Sequence, residues 1–481
     1  MWNELLARGP EGWVTALFGA FAILIFVQYF ALNLLACIEA RREYHRERLA
    51  DRLSLFEGEL APPISVLVPA YNEELTISDM VRSIMQLRYP SIEIIVVNDG
   101  SSDGTLAVLT REFELRPSAR VARATVPRER LRGVYASPRF PGLVIVDVVN
   151  GGSKAKATNV ALAYARHPLV CIVDADSVLE RDTLLELALP FYQDASVVAT
   201  GGVVLPANGS RIQRGVVKEP RVGRHPFARF QAVEYLRGML IGRMGWDALD
   251  RLYIISGALG LFSHRTLMTV GGYRTESLGE DMDLAMRIQS WAQRSGRARA
   301  VRFVHNAVAW TEVPERAKDL AGQRIRWHQG LAECLWYNRG LLAAGRFSPR
   351  SVVAFMSYLL IELMGPFWEA LGLVILAFQL VAGRVDGLLA CLYFGVFVLG
   401  GSINTLVSIA LETAVCPRYD RPADLLVLVV WAVLENLGYR QLTTIWRLRA
   451  LWNTIRRRRE WGTMSRLGHA DTAEREARQA A

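Results

Sequence analysis

Four long apolar stretches constrain this chain more than anything else in it. The first, 13–38, runs for 26 residues without a charge, where a membrane-crossing helix needs about 20. Three more, at about 352–382, 387–413 and 423–446, crowd toward the C-terminus. They carry groups that lipid would not accept, among them Glu362, Glu369, Asn404, Glu412 and Glu435. Such residues should face a bundle interior or a water-filled path, or hold neighbouring helices together. With 51% hydrophobic and 21% charged residues among 481, the chain is too apolar for an ordinary soluble protein and too charged to lie wholly in a bilayer. A soluble region set between spans is expected, and disordered, collagen-like and disulfide-stapled chains are excluded.

The first stretch reads as an anchor, not a cleaved leader, although Leu34-Leu35-Ala36-Cys37 resembles a lipoprotein cleavage box. A leader has an apolar core of about 7–15 residues behind a positive start. Here only Arg8 precedes the run, against Glu4 and Glu11, and the positive cluster follows at Arg41, Arg42, Arg46 and Arg48. The positive-inside rule then puts the N-terminus outside and residue 41 onward in the cytoplasm. Four crossings would return the C-terminus to the outside. Yet Arg447, Arg449, Arg456 to Arg459 and Arg466 follow the last stretch. Either one stretch lies in the interface, or the one interrupted at Pro366 is a bent pair. Cys37, Cys171, Cys334, Cys391 and Cys416 are scattered and form no C-x-x-C pair, which fits a reduced compartment without a zinc site. Lys and Arg outnumber Asp and Glu by 56 to 47. Because the arginine clusters flank apolar runs, the excess points to anionic lipid and not to nucleic acid.

Between the spans, short β-branched runs alternate with helical spacing. Strands are expected at 64–68, 92–97, 143–149 and 169–173, and helices at 75–86, 105–113 and from Lys154. That order predicts a parallel, doubly wound sheet with ligands at the carboxyl ends of its strands. Asn98-Asp99 and Asp174-Ala175-Asp176 fall at such ends. The basic stretches 118–140 and 211–224 read as loops around the sheet. There is no G-x-G-x-x-G and no Walker loop, so a dinucleotide or ATPase site has no support.

Five motifs then stand in order. Val68-Pro69-Ala70-Tyr71-Asn72-Glu73 and Val97-Asn98-Asp99-Gly100-Ser101-Ser102-Asp103-Gly104-Thr105 are followed by Asp174-Ala175-Asp176, Gly279-Glu280-Asp281 and Gln323-Arg324-Ile325-Arg326-Trp327. Together they resemble the inverting family 2 glycosyltransferases. The last motif matches the Q-x-x-R-W signature of the processive synthases of cellulose, chitin, hyaluronan and poly-N-acetylglucosamine. The C-terminal Glu435-Asn436-Leu437-Gly438-Tyr439-Arg440-Gln441 and Trp461-Gly462-Thr463-Met464 are similar to bacterial synthases near the poly-N-acetylglucosamine branch.

The resemblance implies a GT-A-type α/β domain inserted between transmembrane helices. Its division is a 1–40 anchor, 41–62 linker, 63–330 catalytic domain, 331–350 interfacial segment, 351–447 bundle and 448–481 basic cytoplasmic tail. A UDP-sugar, UDP-N-acetylglucosamine or UDP-glucose, would be the donor, and the product a growing β-linked polysaccharide. Asp176 and Asp174 would hold Mg²⁺ or Mn²⁺, since hard ions bridge carboxylate and phosphate oxygens. Pro69, Ala70, Tyr71, Glu73 and Asp99 would meet the nucleotide, and Lys154 its phosphate. Alone, the Asp pair also reads as a cap on a helix from Ser177, and the Asn98–Gly104 stretch as turn chemistry. Asp281 would be the general base, with Glu280 beside it and a pKa raised by Glu280–Asp283 repulsion. Gln323, Arg324, Arg326 and Trp327 would receive the acceptor, Trp327 as an aromatic platform. Tyr358, Trp368, Tyr393 and Trp431 would supply rings along an exit path. The enzyme would sit in a bacterial inner membrane with its catalytic domain cytoplasmic, its path completed by itself, by a second copy or by an export partner. The residues after Met464 are too few for a cyclic-dinucleotide-sensing barrel, so none is expected. Two other classes stay open: transfer of one sugar to polyprenyl phosphate, which would not need Gln323–Trp327, and a non-catalytic transporter or receptor.

Overall fold

The computed structural model describes residues 10–49, 61–124, 126, 130–342, 348–383, 385–415 and 417–458. The tail motif at 461–464, the basic residues Arg459 and Arg466, Cys416 and residues 50–60 of the linker lie outside them.

Among the described residues twelve strands form: β1 (Ile64–Ala70), β2 (Ile92–Asp99), β3 (Arg116–Pro117), β4 (Leu131–Ala136), β5 (Leu143–Val148), β6 (Leu169–Val173), β7 (Ser177–Leu179), β8 (Ala199–Pro206), β9 (Arg211–Gln213), β10 (Val216–Glu219), β11 (Leu259–Ser263) and β12 (Val301–Thr311). Ten join one sheet in the order β3-β4-β5-β2-β1-β6-β11-β8-β12-β7. The run β5-β2-β1-β6 is parallel, and its β-branched strands are buried along nearly their whole length, as strands covered on both faces must be. The chain winds outward from β1 through β2 to β5 and then jumps across β1 to β6. Strand order therefore reverses between β1 and β6, where a crevice opens at the carboxyl ends.

The other half of the sheet corrects the expectation of a parallel sheet throughout. Strand β11 runs antiparallel to β6 and β8, and β7 antiparallel to β12. Both basic stretches also contain strands. Leu131–Ala136 is antiparallel to β5, because a link of a few residues cannot make the crossover that parallel neighbours need. Strands β9 and β10 form a separate hairpin. Ser177 opens β7 and no helix, so the Asp174–Asp176 pair is not a helix cap.

Among the described residues three helices are long and apolar enough to cross a membrane: Thr15–Arg42, Gly387–Val415 and Pro422–Ile455. A fourth candidate is the pair Pro349–Leu363 and Gly365–Val381, bent by 41° at Met364, just before Pro366. Their ends differ in what they touch. Ser348 and Ser351 bond Arg251 of the catalytic region, the latter at 2.8 Å, while Asp386 meets Thr15 at 3.5 Å. Glu412 accepts the amides of Arg418 and Tyr419, and Arg418 reaches Glu180 at 2.9 Å. The Pro422–Ile455 helix starts beside Val222 and Glu219, through Asp424 and Arg421. It is broken at Leu437 and Gly438, whose φ of +102° suits glycine, and ends with the Arg458 carbonyl bound to Gln329. Both ends of that helix rest on the side of the sheet.

Candidate active site

The fourteen residues expected to meet nucleotide, metal or acceptor or to act as base all line one cavity of about 1050 Å³. The sheet builds its floor. Pro69 and Ala70 end β1, and Tyr71, 48% exposed, follows them. Asp99 ends β2 and accepts from the Gly151 amide at 2.9 Å and Arg130 Nη2 at 3.1 Å. Burial pushes the Asp99 carboxyl up, against the pull of that amide and of Arg130. The polar residues around these strand ends are largely used to fix the loops: Asn72 binds Ser101 and Ser102, and Glu74 binds Asp103 and Gly104. Glu73 accepts the Thr76 hydroxyl at 2.9 Å, so turn chemistry and site share this segment.

Asp174 and Asp176 follow β6. Asp174 is ion-paired with Lys154, whose ammonium also donates to the Gly257 carbonyl at 3.0 Å. Burial works against the charge on Lys154, but Asp174, Glu280 and Asp281 outweigh it and raise its pKa. Asp176, 5% exposed, accepts from Thr311 Oγ1 at 3.2 Å. Lys154 opens a helix capped by Ser153, with Gly152 at a φ of +73° just before it.

Glu280 and Asp281 open the helix Glu280–Arg294. Asp281 accepts from the Gly257 amide at 3.1 Å and the Met282 amide at 2.8 Å, which fix its carboxylate at the cavity wall. Burial, then the Asp281 charge, push Glu280 up to about 7, against Lys154 and Arg326. The repelling neighbour is thus Asp281 and not Asp283. Asp283 is buried and bridges Arg287 at 2.7 Å and Asn338 at 3.0 Å. Gly257 joins the two acidic groups, and a Cβ there would lie 2.9 Å from Lys154 Nζ.

Gln323, Arg324, Arg326 and Trp327 lie on the helix Ala317–Tyr337, between sheet and bundle. Arg324 reaches Glu234 at 2.6 Å and stacks on Trp327 with 4.5 Å to the ring centroid. Trp327 is 42% exposed, and the Gln323 Oε1 is buried with no hydrogen-bond partner among the described residues. His328, next in line, accepts from Arg447 at 3.2 Å. Burial and the Arg447 charge push it down to about 2, so it stays neutral.

From there the same cavity continues among the apolar helices, past Tyr358, Glu362, Glu369, Asn404, Glu435 and Arg440. The carboxylates here are paired: Glu369 with Arg440 at 3.1 Å, Glu435 with Arg237, and Glu362 with Arg447 at 3.8 Å. Asn404 bonds Asn33 at 2.7 Å. Glu412 lies off the cavity. The aromatics need correcting. Of the four expected along the path only Tyr358 lines it, while Trp368 packs on Phe21, Tyr393 on Phe397 and Trp431 on Phe230. Tyr29, Tyr235, Trp246 and Tyr439 line it instead.

The profile described as glycosyltransferase like family 2 matches residues 62–330, more than half of the chain. The chain belongs to this family. The glycosyltransferase is 26% identical over 292 residues to a poly-beta-1,6-N-acetyl-D-glucosamine synthase of Staphylococcus epidermidis, covering 60% of each chain. It is 26% identical over 274 residues to the synthase of that name from Staphylococcus aureus, with 56% of this chain and 55% of the relative covered. It thus spans only 55–60% of the length of these relatives. Among solved structures it is similar to a mannosyltransferase from Pyrobaculum calidifontis in complex with GDP-Man and Mn²⁺, with a TM-score of 0.49, 20% identity, and 91% of this chain and 99% of that one covered. For TarS 1-349 of Staphylococcus aureus the TM-score is 0.40, with 15% identity and coverage of 79% and 91%.

Several residues of this glycosyltransferase site escape a reading of its sequence. Arg130 sits in a stretch that looks like a basic loop, and Thr311 ends a strand more than 100 residues from the Asp176 it binds. Glu234, Arg237 and Arg243 belong to no motif. A glutamate and two arginines within ten residues of an otherwise apolar helix were the available signal.

Proposed function

We propose that this glycosyltransferase is an inverting, processive polysaccharide synthase of a bacterial inner membrane. It takes hexosyl units from a UDP-sugar and adds them to the end of a β-linked chain. The observation that carries the reading is the continuous cavity, which joins Asp99, Asp174 and Asp281 to Trp327 and then to Glu369 and Arg440 inside the helices. A transferase that only modifies a lipid headgroup has no need of such a prolongation. The synthase relatives favour UDP-N-acetylglucosamine over UDP-glucose as donor.

Tyr71, Pro69, Ala70 and Asp99 receive the nucleotide where the strand order reverses, with Glu73 holding the loop behind them. Asp174 and Asp176 are hard oxygen donors suited to Mg²⁺ or Mn²⁺. Among the described residues no three His, Cys, Asp or Glu side chains gather to hold a metal unaided, so diphosphate oxygens would complete the shell. A bound ion supplies charge neutralisation to the departing UDP. Lys154, beside Asp174, adds its positive charge there. Asp281 takes the proton of the acceptor hydroxyl as that oxygen attacks the anomeric carbon. The bond to UDP breaks with its electron pair on UDP, and the configuration inverts. Trp327 supports the acceptor sugar, Gln323 offers its free oxygen, and Arg324 and Arg326 frame the ring.

The helix ends support one topology. Thr15–Arg42, the bent pair and Gly387–Val415 make three crossings, whereas Pro422–Ile455 dips in, turns at Leu437-Gly438 and returns. Broken helices at membrane depth occur where they line a protein-enclosed path. Three crossings put the arginines of 447–458 in the cytoplasm with the catalytic domain.

Reconstituted protein given UDP-N-acetylglucosamine at limiting enzyme should make long chains while most acceptor stays unextended, and a chelator should stop it. Uniform addition of one sugar to polyprenyl phosphate would replace this reading.

A further inference from the structure

The membrane-side half of the cavity holds a cation that its surroundings do not account for. Arg237 is paired with Glu435, Arg324 with Glu234, Arg440 with Glu369 and Arg447 with Glu362. Arg243 differs. Its Nη1 is shut off from solvent and, among the described residues, has no hydrogen-bond partner. Yet the residue lines the same cavity. The charged and ionisable groups acting on it are Asp281, Tyr358 and Tyr235, and burial, the largest influence, disfavours its charge. A guanidinium nitrogen left dry and unbonded is costly. The backbone that presents it is also unusual, since Arg237–Arg243 forms a π-helical stretch within an otherwise α-helical run, a feature that recurs at functional sites. Lys154, ion-paired with Asp174, is the cation assigned to the donor's diphosphate, which leaves Arg243, acted on first by Asp281 and then by Tyr358 of the bent pair, for another ligand.

We propose that Arg243 recognises the acceptor: its guanidinium donates to an uncharged carbonyl or hydroxyl oxygen of the terminal sugar and so positions the attacking hydroxyl at Asp281. A neutral oxygen is favoured over an anionic one because Asp281 acts directly on this guanidinium and, with Glu280 and Glu362 lining the same cavity, would repel a phosphate. The inference rests on the polysaccharide-synthase reading. Arg243 is a positioning residue, and the base remains Asp281.

The test uses the full chain in lipid nanodiscs with UDP-N-acetylglucosamine and, as separate acceptors, a β-1,6-linked N-acetylglucosamine oligosaccharide and polyprenyl phosphate. Arg243→Gln should raise the KM for the oligosaccharide at least about tenfold, the worth of one hydrogen bond to a charged group. The KM for donor and the slow hydrolysis of donor by water should stay within about twofold, because neither needs the lost hydrogen bond. Arg243→Lys keeps the charge without the planar fork and should fall between the two; it carries the test if the glutamine variant no longer binds UDP. An unchanged acceptor KM, or hydrolysis falling in step with transfer, overturns the proposal while leaving the synthase reading intact. Wild-type protein that extends only polyprenyl phosphate overturns both.

Discussion

On the sheet side of the cavity Asp99, Asp174, Asp176, Glu280 and Asp281 crowd around Lys154 and Arg130; on the membrane side Glu234, Glu362, Glu369 and Glu435 each face an arginine. The first group gathers five carboxylates around two cations, and Glu280 is pushed up to about 7, first by burial and then by the Asp281 charge. Such a site is completed by something that arrives with positive charge or needs a proton taken. In the second group each carboxylate is neutralised by its own arginine, and Arg243 stands apart from these pairs. On the proposed reading the first half serves chemistry and the second the passage of neutral sugar.

The sharpest break in that comparison is Asp281→Asn. Loss of the general base should lower UDP release about a thousandfold, read in membranes with the fold checked by UDP binding. Full activity would remove the base from the reacting half. On the passage side, Arg440→Met should leave Glu369 buried and unpaired and cost about 3 kcal/mol of stability. Glu369→Leu with Arg440→Met should recover most of that loss, measured by thermal unfolding in detergent. If the double variant is no better than the single, these pairs are not the self-contained units described. Trp327→Ala should leave the first transfer active but shorten the polymer, seen as a shift of the product ladder on a gel; unchanged chain length would take the platform away from Trp327.

The smallest effect expected is on pH. Glu280 is raised above its usual value, so the unfolded chain ionises first as pH climbs from about 4.5. Glu280 therefore favours the folded state at low pH and loses that contribution as pH rises toward about 7. Over the interval around 7 its ionisation adds a second negative charge beside Asp281. The rate should rise with pH through this interval, by less than about threefold, and Glu280→Gln should flatten the rise. A profile unchanged by that substitution would assign the inflection elsewhere.

The two halves also differ in how far they could be read from sequence. Strands β1, β2, β5 and β6 declare themselves by β-branched runs between turn residues, and 105–113 and 169–173 match the observed helix and strand. The acidic residues at their ends follow from that order. The antiparallel half did not show, because β11 and β7 are short and their partners lie far along the chain. The arginine pairs are hidden for the same reason: Arg440 and Glu369 are 71 residues apart, Arg237 and Glu435 198. Polar residues in apolar stretches announce that partners exist, but only the fold names them. The aromatics misled because ring composition is the same in a packed helix interface as along a path.

One contact sets a limit on motion. Glu180, four residues beyond Asp176, holds Arg418 at 2.9 Å and the Trp310 indole at 3.0 Å. Arg418 is in turn bound by Glu412 at the end of a span, and Tyr419 meets Trp310 edge to face at 6.0 Å between ring centroids. Only β7 separates this clasp from the aspartates. The aspartate turn after β6 and the Gly387–Val415 helix are therefore tied through one clasp, so a bilayer too thick or too thin for that helix would load the turn.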